Sequence, residues 1–141
     1  MRAMTIHLAA LQRALEAAGF RLCGAFHPQP DDGVPLLADG QPAHSLLLIG
    51  HAGPQLWRQI RLAPEANSRH PFDHYTRRVV GGLARTYGGT AFFPFDGPPW
   101  LPFQRWARRA EPRLEPAPLG MLIHPHYGLW HAYRAALAFA E

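Results

Sequence analysis

The chain has 141 residues, 48% of them hydrophobic, with fourteen arginines, no lysine, ten acids and a net charge of +4. That is apolar material for one domain with a real core, and the missing lysine excludes Schiff-base chemistry and the lysine-dependent phosphate loop. A single cysteine, Cys23, excludes an internal disulfide, a thiolate zinc cluster and an iron–sulfur cluster held by this chain's own cysteines.

In chain order, Ile6, Leu8, Leu11, Leu15 and Ala18 recur at mostly helical spacing behind Thr5, and Gly19 stands where a helix ends, which predicts a helix over 5–18. A short strand is expected from Phe20 to Phe26. The stretch from His27 to His44 holds four prolines and the turn pairs Asp32-Gly33 and Asp39-Gly40, so it reads as a long loop or ragged hairpin. Ser45-Leu46-Leu47-Leu48-Ile49-Gly50 is a continuous apolar run bounded by turn residues, the pattern of a strand buried on both faces. Pro54, with Leu56, Trp57 and Ile60 behind it, starts a short helix that ends before Pro64, and Phe72 to Tyr87 makes another, closed by Gly88-Gly89.

Thr90 to Phe95 reads as a strand stopped by a proline, and Asp96-Gly97-Pro98-Pro99 as a rigid turn into a helix at Phe103-Gln104-Arg105-Trp106-Ala107-Arg108. Leu119 to Ile123 is a strand and His124 to Gly128 a turn. Leu129 to Phe139 is ambiguous, since its alanines favour helix while its place after a turn favours a hairpin partner. Strands and helices mix without any repeat, which predicts a layered α/β or α+β domain spanning 1–141. No run approaches the roughly 20 apolar residues of a membrane helix, so a cytoplasmic protein without membrane contact is expected.

Several constellations could carry chemistry. Asp96 follows Phe92, Phe93, Pro94 and Phe95, so a partly dehydrated carboxyl able to donate a proton is one reading, and an Asx turn into Gly97-Pro98 is the other. Arg105, Arg108, Arg109 and Arg113 surround Trp106; they form either an anion-binding face or a solvated helix face, and no nucleic-acid motif accompanies them. His124, His126 and His131 lack a nearby acid as a third ligand type, and Pro125 breaks the strand geometry that would align the first two. Trp100, Phe103, Trp106, Tyr127, Trp130 and Tyr133 are core or cofactor wall.

The segment Leu119-Gly120-Met121-Leu122-Ile123-His124-Pro125-His126-Tyr127-Gly128-Leu129-Trp130 resembles a signature of epoxyqueuosine reductases and a matching stretch of CblC-type cobalamin chaperones. Phe72-Asp73-His74-Tyr75 and Phe95-Asp96-Gly97-Pro98-Pro99 resemble reductase segments in the same order. The chain is also similar to bacterial proteins labelled ferredoxins that continue into a cysteine-rich tail, which this sequence lacks. The resemblance implies a flavin-nitroreductase-like fold, a mixed, mostly antiparallel sheet flanked by helices, holding cobalamin, with Leu129 to Phe139 a strand. It implies a ring pocket of Phe103, Trp106, Ile123, Tyr127 and Trp130, with His124 in the same segment and Gly120 close to one face. It further implies Asp96 as proton donor and Arg134 on the cofactor side.

The expected function is corrinoid handling or reductive chemistry, as an oxidoreductase that takes electrons from a donor protein, since no iron–sulfur cluster belongs to this chain. Met121 stands where the reductases have a lysine. The alternatives are a ferredoxin-type docking module and a homodimeric flavin mononucleotide reductase.

Overall fold

The computed structural model describes residues 2–111, 115–116, 122–123 and 131–141, with side chains at 7–111 and 133–141. In chain order the elements are α1 (Arg2–Ala17), β1 (Arg21–Phe26), β2 (Ser45–Ala52), α2 (Gln55–Ile60), α3 (Pro71–Tyr87), β3 (Thr90–Phe92), α4 (Phe103–Ala110), β4 (Glu115–Pro116), β5 (Leu122–Ile123) and β6 (His131–Phe139). Two 3-10 turns lie at Pro30–Asp32 and Pro64–Asn67. Four strands form one antiparallel sheet in the order β1-β2-β6-β3, so the fold is α+β; β4 and β5 pair separately.

The apolar run in β2 is buried on both faces, as its composition predicts. Successive side chains of a strand point to opposite sides. Leu47 and Ile49 therefore join Leu11 and Leu15 of α1, Leu56 and Ile60 of α2 and Val80 of α3 in one core. Leu46 and Leu48 join Phe103 and Trp106 of α4 and Leu37 in a second. Each of these four β2 residues is almost wholly removed from water, which contributes about 1.5–3 kcal/mol apiece relative to exposure.

The ambiguous last segment is a strand. Its alanines favour helix locally, but pairing with β2 along its whole length and with β3 at its end outweighs that preference. Ala136 and Ala138 face the second core, where their small side chains leave room for the fully buried indole of Trp106 between Phe92 and Phe103. The Trp106 Nε1–H donates to the Asp32 carbonyl at 2.7 Å.

Asp32 itself is only 1% exposed and ties the 27–44 loop to α4. Its carboxylate accepts from the Gln29 N–H at 2.8 Å, Arg109 Nε at 3.3 Å and Arg105 Nε at 3.4 Å. Burial pushes its pKa up, and the Gln29 N–H and the two arginines together outweigh burial and hold it below the usual carboxylate value.

α1 begins at Arg2, ahead of the cap expected at Thr5, whereas α3 follows its signals. Pro71 opens α3 and Gly88, at φ 76°, closes it in the left-handed conformation. The expected strand to Phe95 stops at Phe92, because Pro94 has no N–H to continue the ladder. Of the strand expected over 119–123, Leu122 and Ile123 pair with β4, and the rest lies outside the described residues. Among those residues no helix is long and apolar enough to cross a membrane.

Candidate functional site

The register of β2 against β6 slips once. Ile49 pairs with Ala135 and Gly50 with Tyr133, so Arg134 has no residue opposite it and forms a β-bulge. Bulges re-aim side chains and recur beside functional sites. Ala135 belongs to the core under α1, α2 and α3, and Tyr133 packs against the core under α4. Plain alternation would send Arg134 toward Trp106. The bulge turns it instead to α3, with its guanidinium carbon 4.8 Å from the Phe72 ring centroid.

Three more groups complete the cluster. Arg134 Nε–H donates to His51 Nδ1 at 3.2 Å, at the end of β2. The Phe72 ring lies 6.2 Å from the His51 ring. Trp57 of α2 stacks on Phe72 at 5.8 Å and an interplanar angle of 15° while remaining 45% exposed. Burial, and then the Arg134 charge, push the His51 pKa down to about 4, so this imidazole is neutral at physiological pH. Burial also lowers the Arg134 pKa, opposed by the carboxylate of Asp73, and an arginine stays charged regardless.

The arrangement offers a flat aromatic surface open to solvent, a half-buried cation and a neutral ring donor. The Nη groups of Arg134 have no hydrogen-bond partner among the described residues. Such a set suits a conjugated ligand that carries acceptor or anionic substituents.

Of the expected site residues whose side chains are described, Arg134 alone lies in this cluster. Phe103 and Trp106, expected as cofactor walls, pack in the second core at 8% and 0% exposure. Asp96 is not enclosed by the aromatic residues ahead of it. Its carboxylate is 48% exposed and accepts both Nη groups of Arg77, which lies 5.0 Å over each of the Phe93 and Phe95 rings. The rings meet the arginine, and the carboxyl is about half exposed and paired with that cation. The side chain of Ile123 is not described, and Gly120, His124, Tyr127 and Trp130 lie outside the described residues.

His51, Trp57 and Phe72 were not singled out as a ligand site by spacing. Trp57 and Phe72 read as apolar helix positions, and nothing in the sequence marks the bulge that brings Arg134 to them. The arginine cluster of α4 is largely tied inward, since Arg105 and Arg109 bind Asp31 and Asp32. Cys23 is partly buried against the second core, and desolvation pushes its thiol up to about 12 and makes it a poor nucleophile. Among the described residues no three His, Cys, Asp or Glu side chains converge as metal ligands. Compared with known families and curated proteins, the chain matches no family model and no curated sequence.

Proposed function

We propose that the chain binds a cobalamin-type corrinoid against Trp57, Phe72, His51 and Arg134, for cobalamin handling or reductive chemistry that draws electrons from a partner protein. The observation that carries this reading is the bulge at Arg134, which holds a half-buried guanidinium beside a solvent-open aromatic stack. The segment resembling the chaperones and reductases, 119–130, runs directly into His131 at the start of β6, so its most specific residues are close in sequence to this cation. A bound corrinoid supplies a cobalt centre able to take up and release electrons. The chain's own residues do the rest: Trp57 and Phe72 offer apolar surface, Arg134 meets acceptor groups on the ring periphery, and His51 donates a hydrogen bond without carrying charge.

The test is a visible-absorbance titration with cobalamin, run in parallel with flavin mononucleotide. A saturable cobalamin shift is expected, weakened about 10- to 100-fold by Arg134→Gln, the range set by losing a hydrogen bond to a charged group. Gly120→Val should weaken it as well. Binding of flavin mononucleotide alone would replace the corrinoid reading with the flavin one, and binding of neither would reject both.

A further inference from the structure

We propose that the outer face of α2 is a docking surface for an acidic protein, namely the electron donor that the corrinoid reading requires; the inference rests on that reading for the partner's role, not for the surface itself. Leu56 and Ile60 are fully buried and fix which side of α2 meets the core. With about 100° between successive residues, Arg58 and Arg61 face away from the core and Trp57 lies on the flank beside them. Leu62 follows them and is 79% exposed. Two arginines flanked by an exposed tryptophan and leucine have the composition of an interface centre, where Trp and Arg are enriched and isolated solvated charges are not.

The charge of this face is uncompensated. Among the described residues neither Arg58 nor Arg61 bonds a carboxylate. The only acid between Gly50 and Phe72 is Glu65, and Arg78 occupies it through bonds of 2.6 and 3.0 Å. On α4, by contrast, Arg105 and Arg109 already face Asp31 and Asp32, so an acidic partner gains less there. The α2 face is also continuous with the ligand cluster, because Trp57 belongs to both. A donor seated here lies beside the cofactor it reduces. Complementary charge of this kind speeds encounter and weakens with salt.

The experiment titrates the full chain with an acidic [2Fe–2S] protein and an acidic flavin mononucleotide protein by calorimetry, at about 20 mM and about 300 mM salt, one ionic strength on each side of ordinary screening. Binding to at least one donor is expected at low salt, weakened at high salt. It should fall at least tenfold in the double variant Arg58→Glu, Arg61→Glu, and in Leu62→Ser. The exposed control pair Arg13→Glu, Arg85→Glu should stay within twofold. Equal affinity in all variants, or no binding to either donor, overturns the proposal. So does a patch variant that instead loses affinity for phosphatidylglycerol vesicles, for single-stranded DNA or for a second copy of the chain. Cobalamin titration of the Arg58, Arg61 variant separates the two readings: docking lost with cobalamin binding intact supports the surface, and docking present without cobalamin binding keeps the surface while rejecting the corrinoid.

Discussion

His51 shows how one hydrogen bond sets the chemistry of a side chain. Arg134 Nε can only donate, so the Nδ1 it reaches at 3.2 Å must be the lone-pair nitrogen, and the proton of the neutral ring sits on Nε2. Burial and the adjacent cation then resist a second proton, which places the folded-state pKa at about 4 against 6.5 for the free ring. The unfolded chain takes up that proton first. His51 therefore contributes stability that is complete above about pH 6.5 and is lost as the pH falls toward 4. A nitrogen-detected NMR titration should find the Nε2–H tautomer at neutral pH and a midpoint near 4. In Arg134→Gln the midpoint should rise, since the repelling charge is gone. A midpoint at the free-ring value in the parent chain would mean that His51 is neither buried nor held against Arg134. None of this was legible from the sequence, where His51 is one of nine histidines and its partner is 83 residues away.

At the scale of elements, two glycines of similar sequence appearance have opposite roles. Gly24 lies beside the register slip of β1, and a Cβ there would stand 2.7 Å from the Ala110 carbonyl oxygen, so α4 can approach β1 only because the side chain is missing. Gly81 sits inside α3, where a Cβ would meet nothing closer than an Arg85 nitrogen at 3.8 Å. Gly24→Ala should destabilise by about 1–3 kcal/mol, the cost of forcing a packed layer apart. Gly81→Ala should stabilise by about 0.5–1 kcal/mol by restricting the unfolded helix segment. Urea unfolding of the two variants checks both signs, and a neutral Gly24→Ala would mean that α4 is free to shift. Most elements themselves were readable, because Pro71, Gly88 and the run from Ser45 to Gly50 act locally. The close approach at Gly24 was not, and the composition of β6 left its strand state to the family resemblance, because both depend on a partner distant in the chain.

For the whole molecule, the sheet is the shared wall of two cores, so neither can be loosened alone. β2 and β6 contribute alternate residues to each side, and a single cooperative unfolding transition is the consequence. Within this arrangement Trp106 distinguishes a structural assignment from the functional one that the sequence suggests. The aromatic composition of 103–106 fits a cofactor wall as readily as a core, because both bury large rings. The structure places the ring at 0% exposure with its N–H bonded to the loop that Asp32 anchors. Trp106→Phe leaves the Asp32 carbonyl short of a donor and a void beside Ala136 and Ala138, which should cost about 1–3 kcal/mol. On the proposed reading, which seats the ligand on the other face of the sheet, cobalamin affinity should change by less than twofold while the variant remains folded. If affinity instead drops at least tenfold with the unfolding midpoint unmoved, Trp106 does wall the ligand, and the ring site belongs under α4 rather than at the bulge.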